Sequence, residues 1–446
     1  MRRHLLGALL TSVLALLLAA CGAGQEGREA APATPTAGTP SRGVALPTPE
    51  PEEESPRVIN NPAFDAAPGA RAIYGIEGGA AYQIEVPQDW NGRVVYYAHG
   101  FRGFGPLLYV HPPLIRQHLI DNGYAWAASS YRENGYVPGI GAEDTLALRD
   151  IFDREVGKPE RSYIYGTSMG GHVVVLSLEL YANAYDGALA ECGVMGGVEI
   201  LDFFASYALV AEYASGVQLP LEADSDELED LARSQVLPAL GSPESLTERG
   251  QQFESIITNL TGGPRPWRRE GFVRRYEANL LLSIEGAGSG STAARAASNA
   301  DTVYHIDPGL GLSDDGVNSG VRRLQFDPEA RDPQKHPEFG SVSGKLEEPL
   351  LSIHTTGDFF VPFSLHQSYR RKVEAAGDGD LLVQRAVRRP GHCEFTIAEQ
   401  ARAFDDLVRW AEEGLRPEGD NFLAPDLSDI GLKFTDPLLP SDPGGM

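Results

Sequence analysis

Ser168 lies in the run Gly166-Thr167-Ser168-Met169-Gly170, the one Gly-x-Ser-x-Gly of the chain. The residues before it, Ser162-Tyr163-Ile164-Tyr165, have strand character, and those after it, from Met169 to Val175, suit a helix. A serine held in a tight strand-to-helix turn takes a strained backbone conformation and projects its hydroxyl out of the core. Residues two before and two after must then lack bulk, and Gly166, Gly170 and Gly171 supply that space. The turn also aims the positive end of the following helix at the hydroxyl, where negative charge would develop during attack on a carbonyl. The other reading is a glycine-rich turn in which Ser168 does no more than cap a helix.

A neutral serine hydroxyl is a poor nucleophile. Acyl transfer needs a histidine to accept its proton, a carboxylate to orient that histidine, and two backbone N–H donors for the oxyanion. The apolar run Leu350-Leu351-Ser352-Ile353-His354 leads into Thr355-Thr356-Gly357-Asp358. Asp358 thus sits just past a strand end, with an exposed Gly-Asp turn as the plainer alternative. A second run, 381–387, leads into Arg388-Arg389-Pro390-Gly391-His392-Cys393, which puts His392 on the loop before the final helix. None of the other nine histidines has that position.

Such a set needs a sheet whose strands end on one side. From Arg57 onward short β-type runs alternate with helical stretches, the pattern of an α/β sheet with helices on its faces. Strands are expected over 72–76, 82–86, 93–98, 124–129, 162–165, 187–190, 350–354 and 381–387. Leu146, Ala147, Ile151 and Val156 predict a crossover helix over 143–156. Ile397, Ala401, Phe404, Leu407, Val408, Ala411 and Leu415 form an amphipathic stripe for the last helix. Residues 198–345 interrupt the alternation with a mostly helical, then irregular stretch that includes 227–236, 250–260 and a Gly/Ser/Ala tract at 286–297. Inserted between the sixth and seventh strands, it should lie above the C-terminal edge of the sheet, where open α/β folds build their sites.

Over residues 72–200 and 346–415 these motifs resemble the α/β-hydrolase superfamily, its serine esterases in particular. The resemblance implies an α/β-hydrolase fold, a mostly parallel central sheet flanked by helices, with the insertion as a largely helical lid. It also implies the chain order nucleophile, acid, base, met here by Ser168, Asp358 and His392. Gly357-Asp358 followed by Val361-Pro362 is similar to the family's acid loop. Glu191 is the alternative acid, because some members carry it after the sixth strand. His99-Gly100-Phe101-Arg102-Gly103 is similar to the family's oxyanion loop, which implies the N–H of Phe101, or next Arg102, together with that of Met169. A glycine turn leaving a strand is the other reading of that loop. His111, His118, His305, His336 and His366 fall outside the motif positions, and His172 and His354 read as structural.

The 446 residues, 42% of them hydrophobic, suffice for one large domain or two ordinary ones. Acidic residues outnumber basic ones by 62 to 37, a formal net charge of −25 that repels phosphate backbones and anionic surfaces. Nucleic acid is therefore not an expected partner. No His/Cys/Asp grouping has zinc spacing and no Gly-rich loop resembles a phosphate cradle, so neither metal nor cofactor is expected.

Residues 1–21 show the charged, apolar and small-residue order of a secretory signal. The apolar run is short for a membrane-spanning helix, which needs about 20 residues. Leu18-Ala19-Ala20-Cys21 resembles a bacterial lipobox, which implies that Cys21 is lipidated and begins the mature chain; an uncleaved anchor or a plain secretory signal is the alternative. Residues 22–57, rich in Pro, Ala and Thr, read as an extended tether. The expected organisation is a signal at 1–21, a linker at 22–57 and a hydrolase domain at 58–446 with its lid at 198–345. The expected location is exported and membrane-anchored, at the cell surface or in the periplasm.

Two cysteines remain. Cys393 directly follows His392, and Cys192 follows the sixth strand. In an oxidising compartment that pair can bridge and steady the histidine loop; two free buried thiols are the alternative. Tannases and feruloyl esterases are similar in placing a cysteine after the catalytic histidine, but they bridge it to one directly before the serine, where this chain has Thr167.

Within the insertion, Phe203, Phe204, Tyr207, Trp267 and Tyr304 suit either an aromatic pocket or, as expected here, the lid's own core. Arg265, Arg268, Arg269, Arg274 and Arg275 suit a substrate carboxylate or, as expected here, surface pairing with acidic neighbours. The functional expectation is hydrolysis of a small-molecule or polymer-derived ester through an acyl-enzyme. A peptidase or amidase with the same triad and a non-catalytic surface binding protein on the same scaffold are the alternatives. The ordered nucleophile, acid, base and oxyanion loop argue against the last.

Overall fold

The computed structural model describes residues 57–288 and 291–437. The signal expected at 1–21 with Cys21, and all but the last residue of the tether expected at 22–57, lie outside the described residues. Eight strands make one sheet: β1 (Ala70–Glu77), β2 (Ala80–Pro87), β3 (Arg93–Ala98), β4 (Ala125–Ser129), β5 (Arg161–Thr167), β6 (Gly187–Glu191), β7 (Leu350–Thr355) and β8 (Leu382–Val387). Their order across the sheet is β1-β2-β4-β3-β5-β6-β7-β8. β2 runs antiparallel to β1 and β4, and every other pairing is parallel. This is the α/β-hydrolase fold. Each expected strand is present, and β1 runs past its apolar core at both ends because hairpin pairing with β2 carries the polar flanks.

Parallel strands need crossovers, and helices supply most of them. α1 (Pro138–Glu155) joins β4 to β5, and α2 (Met169–Leu180) joins β5 to β6. α1 starts before the expected residue 143 because Pro138 sits in its first turn, where a missing N–H costs nothing. The insertion contributes α3 (Glu199–Ser215), α4 (Glu248–Leu260) and α5 (Arg268–Gly288), with shorter helices among them. α6 (Phe363–Ala376) and α7 (Ile397–Glu413) complete the sheet's cover.

Two cores flank the sheet. Phe152 of α1, Val173 and Val174 of α2 and Tyr369 of α6 pack on one face. Phe404, Leu407 and Trp410 of α7 pack on the other with Leu119. Burying each large α7 side chain stabilises by roughly 1.5–3 kcal/mol. A reciprocal cap starts that helix, in which the Thr396 hydroxyl accepts from Glu399 N and the Glu399 carboxylate accepts from Thr396 N. The insertion has a third core around Tyr207, Phe253, Phe272 and Tyr276, and this core runs on into Phe359, Val361 and Leu365. The insertion and the residues after Asp358 therefore share one packed interior. Among the described residues no helix is long and apolar enough to cross a membrane.

Candidate active site

Ser168 adopts φ 58° and ψ −122°, at the turn from β5 into α2. A side-chain-bearing residue there carries about 1–3 kcal/mol of strain that its surroundings must offset. Three backbone bonds hold it: Ser168 N donates to Glu191 O (2.9 Å), and Ser168 O accepts from Gly171 N (2.9 Å) and Val194 N (3.1 Å). The glycines are forced by contact. A Cβ on Gly166 would lie 2.2 Å from Gly170 O, and one on Gly170 would lie 2.0 Å from Ala98 O.

Asp358 stands in the loop after β7 and His392 in the loop after β8, so two neighbouring parallel strands deliver them to the same edge as Ser168. The Asp358 carboxylate is fully buried. Its Oδ1 accepts from Phe360 N (2.9 Å) and Val361 N (3.0 Å), and its Oδ2 lies 2.6 Å from His392 Nδ1. With Nδ1–H committed to that carboxylate, Nε2 is left as the acceptor. Nε2 lies 2.9 Å from Ser168 Oγ. The Phe360 ring meets the imidazole edge to face at 5.2 Å and fixes its tilt.

The loop after β3 closes over the serine, since a Cβ on Gly100 would come within 3.0 Å of Ser168 Cβ. His99 anchors this loop. It is stacked on Tyr131 at 3.8 Å, and its ring nitrogens lie 2.7 Å from Gly100 O and 3.1 Å from Ser130 O. Burial pushes its pKa down to about 3, so it is neutral and serves as an anchor. Phe101 follows Gly100. Met169 is the first residue of α2, where a backbone N–H has no partner inside the helix.

Glu191 does not reach His392. Its carboxyl is buried on the α7 side of the sheet, accepts from the Tyr165 hydroxyl (2.7 Å), and is pushed up to about 8 by burial, which that hydrogen bond only partly offsets. The alternative acid is thereby overturned, because strand alternation turns its side chain away from the triad. Cys192 and Cys393 are joined by a disulfide, with Cα atoms 5.2 Å apart. The reading of two free thiols falls with it. Cys393 Sγ lies 3.4 Å from His392 Nε2, so the bridge abuts the imidazole. Cys192, His392 and Cys393 bring three potential metal ligands together, but sulfurs bonded to each other offer no thiolate. Thr167, which stands before the serine, faces the Tyr97 hydroxyl at 3.0 Å.

The arginine cluster divides. Arg268 and Arg269 meet Glu254 (3.8 and 3.1 Å), and Arg274 meets Glu394 (3.1 Å), as surface pairing predicts. Arg265 departs from that expectation. It is buried, and its guanidinium donates to the carbonyls of Thr356 (2.6 Å), Gly263 (2.9 Å) and Asp358 (3.4 Å). Burial lowers it to about 9, offset in part by the negative charge of Asp358. The acid loop turns its carbonyls inward, and a planar cation with five donors satisfies several of them at once. Arg275 lies over the Phe360 ring, 4.6 Å from its centroid, with no acidic partner among the described residues.

Phe203, Tyr207 and Tyr304 belong to the lid's core as expected. Trp267 does not; it is 44% exposed. Phe204 is partly buried and meets Phe360 at 6.0 Å, so it extends the aromatic wall beside His392. Phe360 itself went unread in the sequence, although Phe359-Phe360 directly after Asp358 is a visible signal.

No family model matches the chain. It is similar to the o-phthalyl amidase of Xanthobacter agilis, 24% identical over 428 residues that span 82% of this chain and 91% of that protein. Among solved structures it is similar to an esterase from Aspergillus oryzae, with a TM-score of 0.45 and 14% identity over 81% of this chain and 84% of that one. Feruloyl esterase B from Aspergillus oryzae aligns with a TM-score of 0.40 and 14% identity, covering 78% and 82% of the two chains.

Proposed function

We propose that this chain is a serine hydrolase that cleaves carboxylic esters through an acyl-enzyme on Ser168. What carries the reading is one hydrogen-bonded line, from Asp358 Oδ2 to His392 Nδ1 (2.6 Å) and from His392 Nε2 to Ser168 Oγ (2.9 Å), on a nucleophile with φ 58°. As Oγ bonds to the carbonyl carbon, its proton passes to Nε2, and Asp358 stabilises the imidazolium. The N–H groups of Phe101 and Met169 receive the oxyanion. The imidazolium then protonates the departing alcohol, and a water activated by the same histidine releases the acid and restores Ser168.

Amide cleavage is the second reading, favoured by the similarity to an o-phthalyl amidase. The same steps serve it, with a heavier demand on His392 because an amine leaves only when protonated. We further propose that the enzyme is exported and lipid-anchored at Cys21, on the strength of the Leu18-Ala19-Ala20-Cys21 run. Loss of labelled palmitate incorporation in Cys21→Ala, against incorporation in the parent chain, tests that.

A fluorophosphonate probe tests the chemistry. The parent chain should label and Ser168→Ala should not; an unlabelled parent chain would remove both readings. 4-Nitrophenyl esters set against acyl anilides then separate ester from amide cleavage.

A further inference from the structure

Among the described residues Arg275 lacks the polar partner that the other arginines of the insertion have. Every other arginine of the insertion among the described residues has a carboxylate or a carbonyl as partner: Arg233 has Glu229, Arg249 the Ser215 carbonyl, Arg295 Asp327, Arg322 Glu212, Arg323 the Asn299 carbonyl and Arg331 Asp202, besides those of the cluster above. Among the described residues Arg275 makes only the ring contact with Phe360. A guanidinium seated over a ring keeps its in-plane N–H donors for some other acceptor.

Its position is also unfavourable unless something offsets it. Arg268, Arg269, Arg274 and Arg275 crowd the first eight residues of α5, where like charges repel one another. Glu254 and Glu394 compensate the first three. No ion pair or hydrogen bond of that kind compensates Arg275 among the described residues, where it meets the Phe360 ring.

Its place is next to the chemistry. The ring under Arg275 belongs to Phe360, whose N–H holds Asp358 Oδ1 (2.9 Å) and whose edge meets the His392 ring at 5.2 Å. Phe204 continues the same wall. An unpaired cation and a half-buried aromatic wall thus stand one ring away from the imidazole. On a chain of net charge −25 an anionic substrate would otherwise be repelled, so a local cation decides whether one can dock.

We propose that Arg275 binds a carboxylate on the substrate, so that the hydrolase acts on esters or amides that keep one free acid group beside a flat apolar moiety. This rests on the serine-hydrolase reading and assigns its substrate class. The carboxylate sits on either the acyl or the leaving-group side of the scissile bond, about one benzene ring from the reacting carbonyl.

The test uses two matched pairs of substrates. Mono-4-nitrophenyl terephthalate and its methyl ester place or mask a carboxylate on the acyl side, and the para geometry prevents self-catalysed hydrolysis. 4-Acetoxybenzoate and its methyl ester do the same on the leaving-group side. The readout is the charged-to-neutral ratio of kcat/KM within one protein sample, so a less stable variant still informs. In at least one pair the parent chain should favour the charged member roughly 10- to 100-fold, as charge-assisted hydrogen bonds allow. Arg275→Met should collapse that ratio, Arg275→Lys should keep part of it, and salt should lower it. The pair that responds tells which side carries the acid. A ratio at or below one in both pairs, or a preference that Arg275→Met leaves intact, overturns the inference. If Ser168 still takes the fluorophosphonate, only the carboxylate assignment falls; if it takes none and all four substrates survive, the hydrolase reading falls and the inference with it.

Discussion

Arg265 lies buried beneath the loop that carries Asp358 and donates to that residue's own carbonyl (3.4 Å) and to Thr356 O (2.6 Å). It comes from the insertion, just before α5, and its Cζ lies 5.3 Å from the Phe359 ring and 5.6 Å from the Phe363 ring. The insertion and the loop that carries Asp358 are therefore mechanically one piece. Arg265→Met keeps the apolar stem but strands buried carbonyls, at a cost of about 1–3 kcal/mol for each group left unsatisfied. The variant should melt lower and lose kcat more than it gains in KM, with Arg265→Lys partly restoring both. Unchanged melting together with unchanged kcat would sink this role.

Gly170 tests the turn that carries the nucleophile. A methyl there would sit 2.0 Å from Ala98 O, which is backbone and cannot swing aside. Gly170→Ala should destabilise by about 1–3 kcal/mol or more as the turn is pushed off β3, and probe labelling of Ser168 should drop with it. Gly105 is the control, because nothing lies within 4 Å of a Cβ built on it. Gly105→Ala should stay within about 0.5 kcal/mol of the parent in chemical denaturation. Equal behaviour of the two would contradict the packing argument.

Those two loops show what a sequence can and cannot disclose. Parallel strands buried on both faces read as unbroken apolar runs, so β5 and β7 stood out, and the polar residues just past them marked the site. The choice of Asp358 over Glu191 rested on the resemblance of its loop, because each follows an apolar run and only register and alternation decide which carboxyl faces the histidine. Arg265 was misread for a related reason. Its acceptors in the acid loop lie 91 and 93 residues away, and no local pattern distinguishes a buried arginine from a surface one. The cap of α7 went unread, although Thr396 and Glu399 carry the whole motif three residues apart.

The Cys192–Cys393 bridge links residues 201 apart and ties the end of β6 to the residue after His392. Chain-entropy reasoning allows about 2–5 kcal/mol for such a link. Alkylation under denaturing, non-reducing conditions should leave both cysteines unmodified. A reductant should lower both the melting temperature and the turnover of the parent chain, and should leave a Cys192→Ser/Cys393→Ser variant as it was. Ready labelling of both thiols without reductant would rule the bridge out.

Glu191 makes stability depend on pH with a definite sign. Burial lifts its pKa from an ordinary 4.5 to about 8 in the folded protein. Below about 4.5 both folded and unfolded chains hold the proton, and the stabilisation is fully present. Between about 4.5 and 8 the unfolded chain ionises while the folded one does not, so stability falls as pH rises. Above about 8 the folded protein carries a buried carboxylate whose Oε1 has no partner, and the loss is complete. Glu191→Gln keeps an acceptor for the Tyr165 hydroxyl and removes the titration. Other buried groups, such as His99 and His172, both pulled down to about 3, titrate alike in the two proteins and cancel in the difference. The melting temperature of the parent chain should therefore fall progressively below that of Glu191→Gln from pH 5 to pH 8. Parallel curves across that range would mean that Glu191 keeps an ordinary acidity in the fold and that its burial against Tyr165 is relieved by water.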